Sequence, residues 1–106
     1  MVQGTVLIAD GVATNRILLK AKLKPWSYDV IVTGSAEGLL AQARREAPTL
    51  IILSDNLPDG RAAMICAQFK ADKMLLHVPI IAIARSQDEA DRLCLLRAGA
   101  DDVFAR

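Results

Sequence analysis

The strongest constraint in this chain is the order of its periodicities: short, continuous apolar runs alternate with helix-spaced segments from end to end. Thr5-Val6-Leu7-Ile8-Ala9, Leu50-Ile51-Ile52-Leu53 and Ile80-Ile81-Ala82-Ile83-Ala84 are apolar at nearly every position, the pattern of strands covered on both faces. Tyr28 to Val32 and Asp102-Val103-Phe104-Ala105 read as two further strands. Four helical segments separate them. The first runs from Thr14 to Leu23 and is closed by Pro25; the second runs from a Ser35 cap to about Ala47. The third follows the Asp59-Gly60 turn, from about Arg61 to Ala71. The fourth opens on a Ser86–Glu89 capping box and ends at Ala98, where Gly99 supplies the stop. Strict βαβαβαβαβ order predicts a doubly wound parallel sheet with helices on both faces, because each crossover is long enough to hold one.

Within those helices the 3.6-residue spacing turns particular residues inward. These are Ile17, Leu18 and Ala21 (with Leu23 at the margin) in the first, and Leu39, Leu40 and Ala43 in the second. Met64, Ile65, Ala67 and Phe69 are available for packing in the third. Apolar residues make up 53% of 106 and aromatics 4%, which predicts one aliphatic core and one domain spanning residues 1–106. A fifth helix would complete the sheet's coverage, so the chain reads as the N-terminal part of a longer protein, with an uncovered apolar face that invites self-association.

Charge and motifs exclude several function classes. A net charge of +1 gives no reason to expect nucleic acid or an anionic membrane, and Lys20, Lys22 and Lys24 read as a solvated helix face. No apolar stretch approaches the ~20 residues of a membrane span, and no signal peptide opens the chain, so a cytoplasmic location is expected. Cys66 and Cys94 match no metal or redox spacing and read as buried, reduced thiols. His77 has no ligand partners at metal spacing and reads as a surface residue. Asp10-Gly11-Val12-Ala13-Thr14-Asn15 fits no phosphate-binding glycine loop and is not the hydroxyl-rich loop a flavin would want; Ser54 has no nucleophile elbow around it. Enzymatic activity is not expected.

The residues that end the strands carry a resemblance. Val6-Leu7-Ile8-Ala9-Asp10, Asn15-Arg16-Ile17-Leu18-Leu19, Tyr28-Asp29-Val30, Pro48 to Leu53, Pro58-Asp59-Gly60, Val78-Pro79-Ile80-Ile81 and Arg97-Ala98-Gly99-Ala100-Asp101-Asp102 together resemble the response-regulator receiver domain of two-component signalling. That resemblance implies a flavodoxin-like sheet of order 2-1-3-4-5. It also implies a site at the carboxyl ends of the strands. There, two acids after the first strand and an acceptor aspartate after the third hold Mg²⁺, a hydroxyl after the fourth binds the phosphoryl group, and a lysine after the fifth pairs with it.

At those positions stand Asp10 and Gly11, Ser54, Ala84 and Arg106. The stretch Pro58-Asp59-Gly60 is also about two residues shorter than the family's usual proline-to-glycine connection. Asp10 beside a glycine and a serine makes a poor Mg²⁺ site, so the resemblance points to a degenerate receiver with no cofactor. The expected role is protein–protein interaction: self-association, or contact with an attached output domain or a histidine kinase. Receivers N-terminal to GGDEF-type diguanylate cyclases are the most similar kind. A second reading keeps the switch, with Asp55 as phosphoacceptor sharing Mg²⁺ with Asp10; alternation of side chains in the strand opposes it, because Asp55 then faces the other side of the sheet. Asp55 otherwise reads as a loop carboxylate or a cap for the next helix. Asp10 otherwise reads as a strand-end acid bonded to nearby amides, and Arg106 as a candidate ion-pair partner for Asp10 or Asp55.

Overall fold

A computed structural model describes residues 4–105. Five strands, β1 (Thr5–Ala9), β2 (Asp29–Thr33), β3 (Leu50–Ser54), β4 (Ile80–Ala84) and β5 (Asp102–Ala105), form one parallel sheet in the order β2-β1-β3-β4-β5. The crossovers carry α1 (Ala13–Leu23), α2 (Ala36–Glu46), α3 (Ala62–Ala71) and α4 (Glu89–Ala98), and a single 3-10 turn, Lys24–Trp26, contains Pro25. The doubly wound parallel sheet expected from the alternation of runs is observed, in the flavodoxin-like order that the family resemblance implies. Register sets the later chemistry: Ala9 pairs with Leu53 and Ser54 with Ile83, so the ends of β1, β3 and β4 lie side by side.

Strand alternation divides the buried residues between two faces. Leu7 and Ala9, Ile51 and Leu53, and Ile80 and Ala82 join Leu39, Ala43, Ile65 and Phe69 in the main core, beneath α2 and α3. Val6 and Ile8 are equally buried but point to the other face, where α1 lies. Asp10 continues the Val6–Ile8 side and lines a groove of about 280 Å³ with Leu18, Leu19, Ile83, Phe104 and Ala105.

That groove corrects one expectation. Ile17 and Leu18 are 68% and 55% exposed and Ala21 is exposed, so the apolar stripe of α1 is uncovered along much of its length. Periodicity identifies the apolar face of a helix; it does not supply an element to cover it. On α3, Ile65 and Phe69 are buried as expected, whereas Met64 and Ala67 are exposed because the core takes the face carrying Ala62, Ile65, Cys66 and Phe69. Cys66 is buried and its thiol is pushed up to about 11 by desolvation, but Cys94 is exposed, since α4 turns Leu95 inward instead.

The helix starts bear out some caps and replace one. Ser35 Oγ accepts the Gly38 amide at 3.0 Å, as a cap should. At α4 the cap is Asp88, whose carboxylate accepts the Ala90 amide at 3.0 Å. Ser86 lies two residues too early to form the expected box with Glu89, and it donates to Asp91 instead. Gly99 closes α4 with φ of 122°, a conformation that favours glycine. His77 is exposed, as expected of a surface residue.

Candidate functional site

The carboxyl edge of the sheet gathers two buried carboxylates with separate surroundings. Asp10 is fully buried where β1 ends. Its Oδ2 accepts the Ser54 hydroxyl at 2.7 Å, and its Oδ1 accepts Asn56 Nδ2 at 2.7 Å, the Val12 amide at 2.9 Å and Asn15 Nδ2 at 3.2 Å. These four donors are uncharged. Burial pushes the Asp10 carboxyl up, but the bonds from Asn56, Val12, Ser54 and Asn15 outweigh it and hold the group below the ordinary carboxylate value. The Val12 bond also serves α1, whose first residues have no side-chain cap of their own. Arg16 reaches the same corner, donating Nη1 to the Asp10 carbonyl at 2.8 Å.

Asp55, one residue beyond Ser54, belongs to the other face. It is 6% exposed. Its carboxylate receives a two-pronged bond from Arg61, Nε to Oδ1 at 3.2 Å and Nη2 to Oδ2 at 3.0 Å. Oδ1 also accepts the Ala62 amide at 2.9 Å, so Asp55 caps α3 from outside the helix. The need is local: the N-cap position of α3 is Arg61, which has no acceptor to offer. Arg85 comes from the end of β4, donating Nε to the Asp55 carbonyl at 2.7 Å and standing 3.9 Å from its carboxylate. Burial raises the Asp55 carboxyl; the Arg61 bond, the Ala62 amide and the charges of Arg61 and Arg85 together bring it below the ordinary value.

The positions singled out in the sequence thus divide. Asp10 and Ser54 are in direct contact, and Gly11 adjoins them, its amide donating to Asn56 Oδ1 at 2.8 Å. Ala84 is buried at the end of β4 and brings no hydroxyl. Asp55 points to α3, as the alternation of side chains requires, and as a cap. Arg106 lies outside the described residues, and with it the expected ion pair. Asp59 accepts the Ala36 amide at 2.7 Å and the Glu37 amide at 3.1 Å, tying the loop after β3 to the first turn of α2 and lowering its own carboxyl through those bonds.

Asn15, Asn56, Arg61 and Arg85 escaped the sequence reading. Arg61 left one usable signal: a helix beginning with arginine and alanine has to borrow an acceptor, and Asp55 is the acid just upstream. Among the described residues, no group of three or more His, Cys, Asp or Glu side chains is placed to hold a metal ion.

Comparisons with known proteins bear on this geometry. The sequence model of the family described as the response regulator receiver domain matches residues 6–106. Response regulator PleD of Caulobacter vibrioides is 30% identical over 101 residues, covering 95% of this chain and 22% of PleD. The alkaline phosphatase synthesis transcriptional regulatory protein PhoP of Bacillus subtilis is 31% identical over 101 residues, covering 95% of this chain and 41% of PhoP. The chain therefore spans between about a fifth and two fifths of the length of these relatives. Among solved structures, a protein described as a response regulator from Chloroflexus aurantiacus superposes with a TM-score of 0.91 at 25% identity, over 97% of this chain and 84% of that one. A two-component response regulator from Clostridium difficile shares the fold, with a TM-score of 0.90 at 23% identity over 98% and 84% of the two chains.

Proposed function

The chain belongs to the response regulator receiver domain family of two-component signalling, and from that membership we propose that it works as a pseudo-receiver, a protein-interaction module that does not switch by phosphorylation. One observation carries the proposal above the rest. The hydroxyl of Ser54 stands where the resemblance puts an acceptor carboxylate, and it donates to Asp10 at 2.7 Å. A hydroxyl that donates to a buried acid is neither a phosphoryl acceptor of the family's kind nor a carboxylate ligand for an ion.

The donor set does not fit Mg²⁺. A hard divalent ion of that size demands near-octahedral oxygen ligation with one or two carboxylates. In its place are Asp10, bonded by four donors, a glycine at position 11 and a serine at position 54. The second reading, with Asp55 as acceptor beside Asp10, is weakened by the Arg61 fork and the Ala62 amide, which engage both Asp55 oxygens on the α3 side. The proposal assigns no reaction and no cofactor to this chain.

The interaction role is supported by apolar surface on the described residues. Leu18 of α1 and Phe104 of β5 are each 55% exposed on the groove between those elements, and Leu93 of α4 is an exposed apolar residue elsewhere on the chain. Self-association, an attached output domain or a histidine kinase are the partners this reading includes. A GGDEF-type output rests on the sequence resemblance alone. No helix among the described residues is long and apolar enough to cross a membrane, and a cytoplasmic location forms part of the proposal.

The test is chemical. The protein is incubated with Mg²⁺ and a small phosphodonor, and covalent phosphate, acid-labile on an aspartate and acid-stable on a serine, is sought by intact mass and peptide mapping. No phosphate on Ser54 or Asp55 is expected. Acyl phosphate on Asp55 would establish the second reading instead.

A further inference from the structure

The pocket is closed by backbone as well as by side chains. A Cβ added at Gly11 would fall far inside contact distance of the Asn56 carbonyl oxygen, with the Asn56 carbonyl carbon at 3.3 Å and Oδ1 at 3.5 Å. The obstacle is main chain, so no change of rotamer relieves it. Gly11 is not among the glycines with positive φ, which are Gly4 and Gly99; it is needed for space and not for conformation.

Asn56 is fixed there from two directions. Its Nδ2 donates to Asp10 at 2.7 Å and its Oδ1 accepts the Gly11 amide at 2.8 Å. The residues around it are anchored too. Asp55 is bound to Arg61 and Ala62, Leu57 is buried in the core, and Asp59 holds the first turn of α2 through the Ala36 and Glu37 amides. Four of the residues between 55 and 60 are therefore pinned, to four different parts of the fold. The connection from Pro58 to Gly60 is the one that is about two residues short of the family's pattern, so it has little slack with which to retreat.

We propose that residues 55–60 form a strap that shuts the pocket on its own account. Restoring acids at positions 11 and 54 would leave the divalent-cation site closed until the strap is lengthened. This rests on the pseudo-receiver reading and adds its physical cause. An aspartate at position 11 meets the Asn56 carbonyl before it can reach an ion, and moving that carbonyl strains the anchors at Asp55 and Asp59.

The test compares two backgrounds. Gly11→Asp with Ser54→Asp is built on the native strap and on a strap with two residues inserted between Pro58 and Asp59. Mg²⁺ alone is the probe, read by calorimetry and by amide shifts at residues 10, 11 and 54–56. No saturable binding is expected on the native strap, and millimolar-range binding on the lengthened one. Equal binding on both overturns the proposal, as does absence of binding on the lengthened strap.

A second comparison does not depend on the acids. Gly11→Ala is expected to lower the urea midpoint on the native strap and to leave it nearly unchanged on the lengthened one; equal drops overturn the proposal. Phosphoryl transfer to the unaltered chain would count against the pseudo-receiver reading, whereas the strap is judged by the contrast between backgrounds.

Discussion

Asp10 and Asp55 lie on the same sheet edge, are buried to a similar degree and are both held below the ordinary carboxylate value, yet they achieve it differently. Around Asp10 the Ser54 hydroxyl, two amide side chains and one backbone amide donate at short range. Around Asp55 the Arg61 guanidinium forms a fork, Arg85 stands close, and the amide of Ala62 completes the set. Among the described residues, the side-chain and backbone donors on the Asp10 carboxylate are uncharged, whereas those on Asp55 include a guanidinium fork. Bonds from uncharged donors respond little to salt. Half-exposed arginines are screened and share their work with water.

The largest expected effect separates the two acids directly. Asp10→Ala leaves the buried Ser54 hydroxyl and the part-buried Asn56 Nδ2 and Val12 amide without their acceptor; about 1–3 kcal/mol for the buried donor and less for each of the others predict a loss of roughly 2–4 kcal/mol. Asp55→Ala strands the Ala62 amide but lets its half-exposed arginines turn to water, for a loss of about 1–2 kcal/mol. Urea unfolding of both variants checks the order; a costlier Asp55→Ala would break the comparison. Ser54→Ala removes one donor from a buried carboxylate and is expected to cost about 1–2 kcal/mol, equally in low and high salt.

Acid sharpens the contrast further. Both carboxyls are depressed in the folded state, so their stabilisation is complete above the ordinary value of 3.8 and is lost as pH falls through the lower folded values. The urea midpoint should therefore fall below about pH 4. Ser54→Ala, which weakens the Asp10 cage and lets that carboxyl rise, should flatten this fall. An unchanged acid profile in Ser54→Ala would remove Ser54 from the account of Asp10. The smallest effect is expected for Arg61→Ala: a shift in urea midpoint below that of Ser54→Ala, and one that fades as salt is raised. Salt-independent loss would show that Arg61 acts through packing.

How far the sequence could be read follows the same division. The five strands and their parallel packing are contained in the apolar runs, whereas the adjacency of β1 and β3, and with it the meeting of Asp10 and Ser54, follows from the strand order that the family resemblance implies. The orientation of Asp55 also follows from alternation in β3. Its arginine partners do not, because Arg61 reaches it only through the path of the shortened connection, and loop paths have no period to read. The exposure of Ile17, Leu18 and Cys94 was hidden for a different reason. An apolar stripe in a helix states which side avoids water and is silent on whether anything packs there. Asn56 joins Asp10 to Gly11 through its side chain, a link that no spacing in the sequence marks.

The pseudo-receiver reading requires a pocket closed to both ion and phosphoryl group in the unaltered protein. Amide spectra recorded during a titration with Mg²⁺ and beryllofluoride test that most directly. Resonances of residues 10, 11, 54–56 and 84–86 are expected to stay in place throughout. Saturable, Mg²⁺-dependent shifts at Asp10 and Asp55 would contradict it.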